Sequence, residues 1–146
     1  RRRWLRALLR APVIGQALFN LIASKPSIRH FHADHGVADI SRIPADVIDY
    51  EWTTAHQAGA RFAPASFIAG YLDPEEDTGD ALVDLDVPVT LIWGRTADIV
   101  PLADGRELAE RVGARLVVVD DSKILPHVEH PDAFLEAVDG SVRAAI

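Results

Sequence analysis

Val87-Pro88-Val89-Thr90-Leu91-Ile92-Trp93-Gly94 is the stretch on which the fold of this chain turns. It is a continuous apolar run rich in β-branched residues. That composition fits a parallel strand covered on both faces, not the alternation of a strand with one wet face. Pro88 has no amide donor and belongs near the strand's start. Downstream, Pro101 opens a segment in which Leu102, Leu108, Ala109 and Val112 recur at helical spacing. Arg115-Leu116-Val117-Val118-Val119 is a second strand, and Pro131 opens a last helix on Phe134, Leu135 and Val138. Strand, helix, strand, helix is a right-handed crossover, so the two strands are expected to be parallel. Any ligand is then expected beyond their carboxyl ends.

Upstream the pattern is helical. Trp4, Leu5, Leu8 and Leu9 form one stripe, Pro12 breaks it, and Val13, Ile14, Ala17, Leu18, Leu21 and Ile22 form the next. Ser24-Lys25-Pro26 ends that segment, and a short helical piece carries Ile28, Phe31 and His32. Pro44 suits the first turn of a helix with Val47, Ile48, Trp52 and Ala55 on one face, which stops near Gly59. Pro64 restarts a helix through Phe67, Ile68, Tyr71 and Leu72. Residues 73–80 read as a polar connection. The chain therefore divides into a helical region, 1–80, and an α/β region, 81–146.

Composition narrows the functional classes. The chain has 146 residues, 49% hydrophobic and 25% charged, as expected of a single globular domain. It has no Cys, which excludes disulfides, thiolate metal sites and a Cys nucleophile. No apolar run reaches the ~18 residues of a membrane span, and a cytoplasmic location is expected. Arg1, Arg2, Arg3, Arg6 and Arg10 share the first ten residues with no acid, while residues 11–146 carry a net −12. Nucleic-acid binding is not expected, because it needs a basic footprint. Residues 1–10 read as a solvated basic helix face, with contact to a membrane surface as the alternative. The chain has no Met, and two parallel strands do not make a stable sheet alone. Both features point to a piece of a longer protein whose remaining strands lie upstream.

The two post-strand loops run from Gly94 to Pro101 and from Asp120 to Pro131. Neither contains a G-x-G-x-x-G or a G-x-x-x-x-G-K-[ST], so dinucleotide and phosphate-loop readings have no support. The run 87–94, Asp98, Val100-Pro101, a helix, a second strand and Pro126-His127-Val128-Glu129-His130-Pro131-Asp132-Ala133-Phe134 resemble the C-terminal part of the α/β-hydrolase superfamily. The likeness covers about residues 85–140. It implies that residues 1–80 are the helical cap and 81–146 the end of the core, with two parallel strands and their helices. It also implies that Asp98, after the penultimate strand, is the acid of a catalytic triad, which orients a histidine and stabilises its imidazolium.

Two departures from the family pattern stand out. The family has Gly-His shortly after the last strand, and alignment on Glu129 and Pro131 places Lys123 and Ile124 at those positions. Ile124 cannot transfer a proton. His127, one helical turn on, is the candidate base in its place. None of the Ser residues 24, 27, 41, 66, 122 and 141 sits in a G-x-S-x-G elbow. The nucleophile would come from the upstream half of the same protein, and this chain alone is expected to turn over no ester. Trp52, His56, Arg61 and Phe62 are candidate substrate-binding residues in the cap. His30, His32, His35 and Asp34 cluster in sequence, but the i, i+2 spacing of His30 and His32 does not place them on one helix face. No metal and no cofactor are expected. The resemblance implies a hydrolase of small apolar ester-type substrates. The alternative is a degenerate, non-catalytic binding protein on the same fold.

Overall fold

The computed structural model describes residues 2–74 and 77–144. It is a mixed α/β chain in which helices predominate. The elements are α1 Arg3–Arg10, α2 Ile14–Ile22, α3 Lys25–Phe31, α4 Ala45–Ala55, α5 Phe62–Ile68, α6 Thr78–Val83, β1 Thr90–Gly94, α7 Leu102–Val112, β2 Arg115–Val119, α8 Pro126–Glu129 and α9 Pro131–Ala144. Between α3 and α4 lie a π-helical turn, His32–Gly36, and a 3-10 turn, Ile40–Arg42. The described residues form two compact units, residues 2–31 with 44–74 and residues 32–43 with 77–144. Residues 32–43, helical-region residues by sequence, therefore pack with the C-terminal unit.

In the first unit α1 packs on α2 and α5, and α3 packs on α4. Leu9, Ala23, Ile48, Ala65 and Ala69 are its buried apolar residues. The expected stripe of α1 is only partly covered. Leu9 is buried, but Trp4 is 69% exposed, because α1 is bent about 90° against α2 and only one edge of its apolar face meets a neighbour. Pro26, expected to end a helix, lies in the first turn of α3, where a missing amide donor costs nothing. Helix α5 begins at Phe62, ahead of Pro64, and ends at Ile68, so Tyr71 and Leu72 lie outside it. No single helix among the described residues is long and apolar enough to cross a membrane, although α1 and α2 together pass on length and composition as a bent pair.

In the second unit β1 and β2 form a parallel two-stranded sheet, with Thr90 opposite Arg115 and Gly94 opposite Val119. The connection is α7, which packs on both strands, as does α9. The first strand is shorter than the run that announces it. Pro88 cannot donate to the ladder, and pairing starts where the Arg115 amide donates to the Val89 carbonyl at 3.0 Å. The strand residues Thr90 to Trp93 are half-buried, less than the full two-sided burial that their composition implies. Helix α7 starts after Pro101 and ends at Gly113, whose φ of 64° is the left-handed conformation that favours glycine at a helix end. The polar connection is interrupted by α6, which Asp77 caps by accepting from the Gly79 amide at 2.7 Å. Glu75 and Glu76 of that connection lie outside the described residues.

Candidate functional site

Gly94 ends β1 at the point where the two post-strand loops meet. A Cβ on it would lie 1.8 Å from the Lys123 carbonyl oxygen, so no other residue fits. Beyond it, the Arg95 amide donates to the Val119 carbonyl at 2.9 Å. The Thr96 amide and hydroxyl both donate to the Ser122 carbonyl, at 3.0 and 2.9 Å. Trp93 Nε1 donates to the Val100 carbonyl at 2.9 Å and pins the far end of the first loop. These bonds fix the loop that carries Asp98. A cavity of about 160 Å³ opens beside it, lined by Trp93, Ala97, Val100, Ile124 and Pro126 among others. A larger groove, about 510 Å³, runs along β2 and α9; neither Asp98 nor His35 lines it.

Asp98 is half-exposed and accepts two hydrogen bonds. Oδ1 takes the Ile99 amide at 2.9 Å, and Oδ2 lies 2.8 Å from His35 Nδ1. The bond to His35, opposed by partial desolvation and helped by the backbone amide, holds the Asp98 carboxyl below its ordinary 3.8. Asp98 does not cap α7, whose N-terminus has no side-chain cap. The imidazole at Asp98 comes from the π-helical turn before the 3-10 turn, not from the loop after β2.

The segment that follows this turn is held in place by a buried carboxylate. The Glu129 side chain is fully buried. Its Oε1 accepts from the Ala38 amide at 2.6 Å and from Arg42 Nη1 at 3.4 Å. Its Oε2 accepts from the Ser122 hydroxyl at 2.9 Å and the Lys123 amide at 2.8 Å. Glu129 therefore ties residues 38–42 to the loop after β2. Arg42 Nη1 also donates to the Asp121 carbonyl at 2.9 Å, and its Nη2 pairs with the Asp121 carboxylate, which raises the guanidinium further above its usual range. Lys123 Nζ donates to the Ala33 and Asp34 carbonyls, at 3.3 Å for Ala33. The Leu125 amide donates to the Gly36 carbonyl at 3.2 Å.

His127 is exposed on α8, with its ring edge-on to Phe134 at 5.7 Å between centroids. The expected helical turn over 124–127 lies two residues later, at 126–129. His130 turns toward the end of β2. Its Nε2 lies 3.0 Å from both the Asp121 carbonyl and Arg42 Nη1.

In the first unit the four cap candidates form two pairs. Trp52 and His56 stack at 4.6 Å, and His56 Nδ1 lies 2.7 Å from the Trp52 carbonyl at the end of α4. His56 thus closes the end of α4 against its own backbone. Arg61 lies over the Phe62 ring at 4.6 Å and donates to the Gln16 side chain. Arg61 also lines a cavity of about 30 Å³ with Leu9, Phe19 and Ile68, a space for one water, not a substrate. Among the described residues no group of three or more His, Asp or Glu is placed to hold a metal ion.

Sequence reasoning missed His35 because Asp98 lies 63 residues away, and a helix or strand period reports only neighbours on one element. The one signal was the His30, His32, His35 cluster itself. A scan against models of known protein families finds no match to this chain, and neither does a search of curated protein sequences.

Proposed function

We propose that this chain is the acid-and-base part of an α/β-hydrolase-type enzyme that cleaves small apolar esters. The observation that carries the reading is the Asp98 carboxylate, just past the end of β1 in a parallel strand-helix-strand unit, hydrogen-bonded to an imidazole nitrogen. A carboxylate on one imidazole nitrogen fixes the tautomer and stabilises the imidazolium formed when the other nitrogen takes a proton. Ala97 and Val100, on either side of Asp98 in its loop, line a cavity with apolar walls at Trp93 and Ile124, suited to an apolar acyl group or alcohol, although neither Asp98 nor His35 itself lines it. No Ser in these 146 residues sits in a G-x-S-x-G, so the attacking hydroxyl is water's or that of a serine outside them.

The test is hydrolysis of p-nitrophenyl esters, acetate to octanoate, by the protein that carries this chain. Turnover that falls about 10⁴-fold in Asp98→Asn is expected, the loss seen when a triad acid is neutralised. Absence of turnover across the series, or full activity in Asp98→Asn, refutes the reading. A second reading, a binding protein that has lost the chemistry, is favoured by one observation: Ile124 stands where the family has its histidine.

A further inference from the structure

We propose that the base has moved in this protein: His35 replaces the histidine missing at Ile124, and Lys123 is the residue that positions it. The proposal rests on the hydrolase reading and adds the identity and origin of its base.

Three observations meet at this point. First, His35 presents Nδ1 to Asp98 Oδ2 at 2.8 Å. With Nδ1–H donating to the carboxylate, Nε2 carries the lone pair of the neutral ring and is the basic nitrogen. Second, Lys123 and Ile124 stand at the Gly and His of the family pattern, and the two replacements do different things. Ile124 gives the cavity an apolar wall and has no proton to exchange. Lys123 lines the same cavity, and its ammonium binds the carbonyls of Ala33 and Asp34, the residues just before His35. A glycine at 123 has no side chain to do this. Third, Glu129 and the Leu125 amide tie Ala38 and Gly36 to the same loop. His35 is thus bracketed on both sides by contacts from the loop after β2 and from Glu129. Asp98 faces it from the β1 loop, Lys123 of the β2 loop binds the two residues before it, and His32 and Asp34 lie on its own turn.

The chemistry balances without a further reagent. His35 Nε2 accepts the proton of an attacking hydroxyl, a serine's or water's, as its oxygen bonds to the ester carbonyl carbon. Asp98 stabilises the imidazolium. The proton then passes to the alkoxide oxygen as the acyl carbon–oxygen bond breaks.

The experiment is nitrogen-15 NMR of the histidine rings in the chain, recorded above the pH of ring titration. Wild-type His35 is expected in the Nδ1–H tautomer, and Asp98→Asn is expected to return it to the Nε2–H form that free imidazole side chains prefer. Lys123→Ala is expected to move the tautomer signal part of the way, with rescue by Lys123→Arg, and His127 is expected to be unchanged in all variants. His35 in the Nε2–H form in the wild type, or unmoved by Asp98→Asn, overturns the pairing whether or not the protein cleaves esters. An indifferent Lys123→Ala overturns the positioning role. Failure to cleave any ester refutes the hydrolase reading without touching the tautomer result, so the two failures are distinguishable.

Discussion

Removing the carboxylate of Glu129 is the most informative perturbation of the second unit. Its side chain is fully buried and accepts three hydrogen bonds shorter than 3.0 Å, from Ala38, Ser122 and Lys123. Hydrogen bonds to a charged group contribute about 1.5–3 kcal/mol each, and truncation also leaves buried donors without an acceptor. The three bonds share one carboxylate and do not add in full. Glu129→Ala is therefore expected to cost about 3–5 kcal/mol, the range for removing one partner of a buried charged pair. For a chain of this length that is a fall in Tm of roughly 10–15 °C. Urea unfolding followed by tryptophan fluorescence and far-UV circular dichroism measures it. Glu129→Gln retains one acceptor oxygen but turns an amide NH₂ toward donors, so it should recover only part of the loss. Amide exchange at residues 36–42 should accelerate in both variants more than exchange in β1. A Glu129→Ala protein within about 1 kcal/mol of the wild type would refute the claim that this carboxylate holds the segment to the loop.

Three further outcomes follow from the geometry. Gly94→Ala places a Cβ 1.8 Å from the Lys123 carbonyl, so it should lower stability by about 3 kcal/mol or more in urea unfolding, or leave the protein insoluble. The Asp77 carboxyl is held below its ordinary 3.8, first by the Arg111 guanidinium and then by the Gly79 amide. A depressed folded value means stabilisation that is present above about pH 4 and lost as pH falls through the folded value. Asp77→Asn should therefore flatten the acid limb of a stability–pH curve measured by urea unfolding and leave the slope above pH 5 unchanged. Asp98 is depressed in the same sense, so its carboxylate should be there to accept from His35 at neutral pH, and the His35 tautomer signal should be lost in Asp98→Asn.

Much of the second unit was legible because its signals are local. The run Arg115–Val119, apolar from Leu116 on and set between Gly113-Ala114 and Asp120, is the observed β2 to the residue. Pro101 and Pro131 mark the starts of α7 and α9 because a missing amide donor is harmless there. The parallel pairing followed from a helical crossover too long for a hairpin. What was not legible depends on distant partners. Composition extended β1 to Val87, but pairing begins only where Arg115 supplies a donor. Residues 32–43 read as helical-region sequence, and only Glu129, Lys123 and Leu125, some 90 residues on, bind them into the second unit. Asp98 entered as the candidate acid through the family resemblance, not through any local signal. The imidazole found at its carboxylate was not foreseen, since His127 was nearer in sequence to the expected position while His35 was delivered by tertiary contacts.

The most direct measurement of the central claim is kcat/KM for p-nitrophenyl ester hydrolysis by the protein carrying this chain, compared between His35→Gln and His127→Gln. Loss of a working base costs several powers of ten, so His35→Gln is expected to fall at least about 10³-fold. His127→Gln is expected to stay within about threefold of the wild type, because its ring rests on Phe134 and not on Asp98. A large loss in His127→Gln with His35→Gln nearly unchanged would contradict the account.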